Sequence, residues 1–297
     1  MEHAITTGFV TAKDGAVIGY HQLGQGPGLV VLHGAFETGK SHIQLADALA
    51  PHFTVYLPDR RGRGLSGSFA TDYCIDKEVE DMDILLAHTG ANYVFGVSSG
   101  AIIWLKAALT LPAIHRAALY EPAMSVNGSV STDFLDRFDK EIAAGQVTAA
   151  LITAMKGAQM GPRIFNILPR WLLELIACMA MNREDKKARP GEVTTRMLAQ
   201  TLHYDFQLIA EMSGQLIADA NRSSVPFENI RAEILLLGGS KSPAYLKLAL
   251  DHLKKLLSPV KCLVIPGVGH GGSGNVNRGG KPGIVAEELV KFYNGRR

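Results

Sequence analysis

The chain has 297 residues, 47% hydrophobic and 20% charged, which suits one large globular domain, or one domain with an insertion, around a sizeable core. A formal net charge of only +2, with no lysine or arginine block, excludes nucleic-acid and anionic-membrane partners held by bulk charge. The three cysteines, Cys74, Cys178 and Cys262, match no metal spacing and leave one over from any pairing, so they read as buried small hydrophobes in a reducing, cytoplasmic setting.

The opening MEHAITTGFVTAKDG has neither the basic start nor the apolar run of a signal peptide, and the mature protein is expected to begin at Met1. Thr6–Val10 and Ala16–Gln22, joined by Lys13-Asp14-Gly15, read as an antiparallel hairpin. Strands near 29–32, 53–57, 92–97 and 114–120 then alternate with helices near 39–50, 76–89 and 99–110, the pattern of right-handed crossovers in a parallel sheet. From about Ser131 to Asn221 the periodicity is helical, with breaks at Gly145, Gly161-Pro162, Pro169 and Pro190-Gly191. The most apolar stretch, Ile164 to Met181, is interrupted by Asn166, Pro169, Arg170 and Glu174, which argues against a membrane span. The α/β alternation resumes with a strand over Glu233–Leu237, a helix over Pro243–Leu257, a strand over Cys262–Ile265 and a last helix from about Pro282 to Tyr293. The expected division is a core over 1–124 and 227–297, with a helical cap inserted over 125–226.

Several segments invite chemistry. Residues 34–41, GAFETGKS, fit the phosphate-loop pattern, and the strand ending at Asp59 would supply a magnesium-binding acid. The pattern is loose, however, and its surroundings must decide it. Gly96-Val97-Ser98-Ser99-Gly100, between a strand and the helix Ala101–Leu109, has the form of a nucleophile elbow: small residues flank a turn too sharp for larger ones, and the serine hydroxyl is lifted to the sheet edge. The Ser99 N–H then faces developing negative charge from a helix N-terminus. Gly269-His270 follows the last strand in a glycine loop, and His33-Gly34-Ala35 follows an early strand, where a backbone N–H can be a second oxyanion donor.

With His-Gly-x at 33–35, Asp-x-Arg-Gly-x-Gly-x-Ser at 59–66, G-x-S-x-G at 96–100 and Gly-His at 269–270, the chain resembles the α/β-hydrolase-fold superfamily over nearly its full length. The resemblance implies a mostly parallel sheet flanked by helices, with Ser98 as nucleophile, His270 as general base, and the N–H groups of Ser99 and Ala35 as oxyanion hole. Phe36 would line the pocket or be an alternative donor. It also makes GAFETGKS a hydrolase turn, with His33, Lys40, Asp59 and Arg61 structural. The acid departs from the commoner family pattern. Gly238-Gly239-Ser240-Lys241-Ser242-Pro243 holds no carboxylate, and Asp251, two turns into the next helix, should face away. Some relatives carry the acid after the strand that follows the elbow helix, which makes Glu121 the third member.

These roles imply acyl transfer through Ser98, with no metal or organic cofactor. Serine at 98, where dehalogenases and epoxide hydrolases need aspartate, argues against those activities. The cap should choose the substrate, with Phe165, Ile167, Leu168, Trp171, Leu172, Leu175, Met179 and Met181 as pocket residues and Met155 and Met160 nearby; helical periodicity alone does not say which apolar face is the pocket. An ester or lactone of a hydrophobic small molecule is the expected substrate. Carbon–carbon bond cleavage beside a ketone, a ligand-binding or repurposed fold, and magnesium-dependent nucleotide binding through Lys40 stay open, as do monomer and homodimer.

Overall fold

The apolar runs of the sequence form one eight-stranded sheet in the computed structural model, which describes residues 3–158, 167–221, 226–257 and 259–295, with side chains of 215–221 and 226 left aside. The strands are β1 (Thr6–Thr11), β2 (Val17–Leu23), β3 (Gly28–Leu32), β4 (Thr54–Pro58), β5 (Tyr93–Val97), β6 (Arg116–Tyr120), β7 (Glu233–Gly239) and β8 (Lys261–Ile265). Their order is β1-β2-β4-β3-β5-β6-β7-β8; β2 pairs antiparallel with both β1 and β4, and every other pair is parallel. In β3 to β6 the last four residues are all buried, as a sheet covered on both faces requires.

Helices α1 (Ile43–Leu49) and α10 (Pro282–Tyr293) cover one face, where Leu45, Leu49, Val285 and Leu289 pack with Val31, Phe95 and Leu237. Helices α2 (Ile75–Thr89), α3 (Ser99–Ala108) and α9 (Ala244–Leu256) cover the other, bringing Met82, Ile102 and Leu250 against Val30, Val94 and Leu236. The helix expected over 39–50 begins instead with a 3-10 turn, Gly39–His42, because the Gly39 N–H is drawn 2.7 Å from Asp59 Oδ1 and that of Thr38 donates to Ser41 Oγ at 3.1 Å.

Between β6 and β7 the chain forms α4 (Leu135–Ala143), α5 (Val147–Gly157), α6 (Arg170–Lys187), α7 (Thr195–Ala199) and α8 (Leu202–Asn221). Phe206, Leu208, Ile209 and Met212 of α8 join the same hydrophobic cluster as α2 and α3. Cys74, Cys178 and Cys262 are free thiols and half-buried, a correction to the expectation of full burial. Among the described residues no helix is long and apolar enough to cross a membrane.

Sheet register sets up the site. Leu32 pairs with Gly96, Val97 with Tyr120, and Tyr120 with Leu237, so the carboxyl ends of β3, β5, β6 and β7 lie level and His33, Ser98, Glu121 and Gly238 leave one edge together.

Candidate active site

Ser98 occupies the turn between β5 and α3 with φ 55° and ψ −119°, a region L-residues seldom visit. Its N–H donates to Tyr120 O at 3.0 Å, and its carbonyl accepts from Ala101 and Ile102 at 3.1 and 3.3 Å, holding the strained turn from both sides. The flanking glycines have steric causes. A Cβ on Gly96 would lie 2.5 Å from Gly100 O, and one on Gly100 would lie 2.5 Å from Leu32 O. The side chain faces a cavity, and the first N–H groups of α3, that of Ser99 foremost, have no intrahelical acceptor.

His270 reaches the same cavity from the loop after β8. Its Nδ1–H donates to Glu121 Oε2 at 2.7 Å, which leaves Nε2 as the proton acceptor. Glu121, just past β6, also has positive φ, 46°, and its Oε1 accepts from the Gly239 N–H at 2.6 Å. The carboxylate thus fills the space at the end of β7: a Cβ on Gly238 would stand 3.4 Å from Glu121 Oε1. Asp251 is exposed on α9. Tyr120 Oη donates to Gly269 O at 2.6 Å and steadies the histidine loop. Burial and the Glu121 charge push the Tyr245 phenol, also on the cavity wall, up to about 12, so it stays a donor at neutral pH.

The loop after β3 is tied down at nearly every polar atom. The Gly34 N–H donates to Glu37 Oε2 at 3.0 Å, and Gly34 O accepts from His33 Nδ1 at 2.8 Å. Phe36, with φ 58°, is held at both ends: its N–H points to Asp205 Oδ2 of α8 at 3.4 Å, and its carbonyl accepts from Arg278 Nη2 at 3.2 Å. Among the described residues the Ala35 N–H has no such partner, and Ala35 lines the cavity. Of these two amides that of Phe36 has a long-range acceptor and that of Ala35 has none among the described residues, and both residues line the cavity.

Behind the loop lies a buried ion network that the sequence analysis missed. Arg60 donates to Glu78 Oε1 at 2.9 Å, to Asp205 Oδ1 at 2.8 Å and to Ser99 Oγ at 3.0 Å, while Arg63 donates to Asp205 Oδ2 at 2.7 Å. Two arginines offset two carboxylates, and one of the four, Asp205, belongs to the inserted helices. Burial first, then the fields of Arg63 and Arg60, hold His33 well below its ordinary value; its Nε2 accepts the Arg60 N–H at 3.1 Å. Glu37 is pushed up by burial but held low by the larger combined pull of His42, 3.1 Å away, and Arg278.

The cavity measures about 180 Å³. Ala123, Val130, Ala158, Phe206 and Ile209 form its apolar wall, and Glu37, Ser273 and Arg278 a polar one. Of the residues expected to line it, Trp171 and Met179 are instead 66% and 57% exposed, and Leu172 is half-buried on the same helix, off the cavity. The pocket-facing helix is α8: α6 buries Leu173 and Met181 and turns its other side outward. Ile167 is exposed and Leu168 half-buried, while Met160 and Phe165 lie outside the described residues.

The phosphate-loop reading loses its chemistry here. The Gly39 amide that would meet a phosphate is spent on the Asp59 carboxylate, which also accepts from Leu65 N at 2.8 Å, and Lys40 is exposed. Arg61 braces the following turn through Asp81 and Asp14, at 2.7 and 2.6 Å. Among the described residues no group of three or more His, Cys, Asp or Glu side chains is placed to hold a metal ion.

Comparison with known proteins bears on the family and the fold. A pimeloyl-[acyl-carrier protein] methyl ester esterase of Xanthomonas oryzae pv. oryzae (strain MAFF 311018) is 34% identical over 97 residues, an alignment covering 33% of this chain and 37% of that protein. The crystal structure of an α/β hydrolase from Sphaerobacter thermophilus DSM 20745 superposes with TM-score 0.72 and 28% identity, over 96% of this chain and 100% of that one. A thioesterase domain from the curacin biosynthetic pathway, 16% identical with TM-score 0.64 over 97% and 99% of the two chains, shares the fold. The model of the alpha/beta hydrolase family matches residues 29–279, from β3 through the histidine loop. The chain belongs to the α/β-hydrolase family.

Proposed function

We propose that the protein is a serine hydrolase that cleaves an ester or lactone of a small, largely apolar molecule through an acyl-enzyme. The observation that carries this reading is the 2.7 Å bond from His270 Nδ1–H to Glu121, which aims the basic nitrogen away from the carboxylate and into the cavity that Ser98 lines. Ser98 Oγ attacks the acyl carbon while His270 Nε2 takes its proton, and Glu121 stabilises the imidazolium. The Ser99 and Ala35 N–H groups donate to the oxyanion, His270 returns the proton to the departing alkoxide, and water repeats the sequence to free the acid. A cavity of about 180 Å³ is smaller than the roughly 300–1,000 Å³ of sites for drug-sized ligands, which favours a short acyl group.

Mass spectrometry after exposure to a fluorophosphonate tests the machinery without a known substrate. The label is expected on Ser98 and is expected to vanish in His270→Ala. A folded protein whose Ser98 stays unlabelled would remove the hydrolase reading. Once labelling is established, a series of p-nitrophenyl esters should show kcat/KM falling with acyl length, and diketones should be turned over more slowly than the best ester.

A further inference from the structure

Trp171, Leu175 and Met179 stand four residues apart on α6 and are 66%, 50% and 57% exposed; Ile176, next to Leu175 on the helix, is 47% exposed, and Ile167, three residues before the helix begins, is 80% exposed. Spacing of four keeps them on one strip of the helix, opposite the buried Leu173 and Met181. At about 180–250 Å² for each large side chain, the exposures of the four α6 residues leave roughly 400–500 Å² of apolar surface along the helix, within the range of the largest patch of a monomer.

We propose that this strip is a dimer interface, on which a second copy of the chain packs its own α6 antiparallel about a two-fold axis through Leu175. Such an axis sets Leu175 on itself and each Trp171 ring on the Met179 of the other copy, since both stand four residues from Leu175. Two observations choose a second copy. The first is size. A standard interface covers about 800 Å² per partner, and about 65% of a homodimer interface is apolar, which asks for close to the area the strip offers. The second is charge. The helix carries Arg170, Arg183, Lys186 and Lys187 against Glu174, Glu184 and Asp185, an almost even mixture that does not repel itself, whereas a helix built for an anionic lipid surface has a strongly basic polar face. The cavity-lining residues of the inserted helices are on α8 and near α5, so the interface leaves the proposed nucleophile and base untouched and does not depend on the activity assigned to them.

Sedimentation velocity over a concentration series is the test. The wild-type chain is expected at about 64 kDa at micromolar concentration, twice the 32.0 kDa of one copy, and Leu175→Glu at the monomer mass with an unchanged far-ultraviolet spectrum and unchanged Ser98 labelling. In a Cys178→Ser background, Leu175→Cys should form an intermolecular disulfide on mild oxidation, because a residue on the axis meets its own copy, while Trp171→Cys alone should not. A wild type monomeric at high concentration, whether or not it then binds neutral or anionic vesicles, would overturn the proposal. So would a dimer that survives Leu175→Glu and fails to cross-link at 175.

Discussion

Glu121 makes two hydrogen bonds that need its carboxylate differently. An amide oxygen could still accept the Gly239 N–H now held at 2.6 Å, but an amide NH₂ facing His270 Nδ1 would turn that nitrogen into an acceptor and move the ring proton to Nε2. Glu121→Gln is therefore expected to lower kcat by about 10³–10⁴-fold while leaving the melting temperature near wild type; steady-state kinetics on the best ester, with a thermal melt alongside, checks both. An enzyme that keeps most of its turnover would mean that another group orients His270. Ser98 and His270, the proposed nucleophile and base, were legible as candidates because each sits in a local pattern, G-x-S-x-G or Gly-His after a strand, whose spacing is set by one turn. Glu121 was legible only by eliminating Gly238–Pro243 and by resemblance, since nothing local distinguishes it from a glutamate before a proline.

At the level of elements, α8 is joined to the core loops by Asp205, a carboxylate fully buried between Arg60 and Arg63 with the Phe36 amide alongside. Removing it leaves two buried guanidinium groups short of a counter-charge, so Asp205→Ala is expected to destabilise the protein by about 3–5 kcal/mol in urea unfolding. The same change frees Phe36 N–H and loosens the Arg60–Ser99 contact, so fluorophosphonate labelling of Ser98 should slow at temperatures where the variant is still folded. Equal labelling rates would confine the network to a structural role. This network was invisible in the sequence because Asp205 lies 145 residues from Arg60 and 169 from Phe36, and Arg278 lies 242 from Phe36; no local spacing encodes such pairings. The opposite failure occurred on α6, where helical periodicity was plain but did not say which apolar strip faced inward. The residues read as a pocket, Trp171 and Met179, are on the outer side.

For the molecule as a whole, strand and helix positions were readable to within a few residues, since a sheet covered on both faces needs unbroken apolar runs and the crossovers need helices between them. Global stability should carry the signature of His33. Its folded-state proton affinity is depressed below the ordinary 6.5, so below that pH the unfolded chain binds more protons than the folded one, and stability present at neutral pH is lost on acidification. The unfolding free energy is expected to fall between about pH 6.5 and 5, with up to about 1.4 kcal/mol per pH unit due to this residue. His33→Gln should flatten that part of the curve; His21, also lowered by burial, is present in both proteins and drops out of the difference. Identical slopes would show that His33 titrates as freely in the fold as outside it.

Glu121, the proposed acid, follows β6 rather than β7. Ser98 and Glu121 end neighbouring strands of a single strand–helix–strand unit and both precede the inserted helices, whereas His270 follows them. A single cut anywhere between α4 and α8 would therefore divide the proposed site unevenly, leaving Ser98 and Glu121 on one fragment and His270 alone on the other. Neither piece would hydrolyse anything by itself. Mixing the two would restore labelling of Ser98 only when the β6–β7 ladder re-forms, so the sheet itself would act as the switch that reports their reunion.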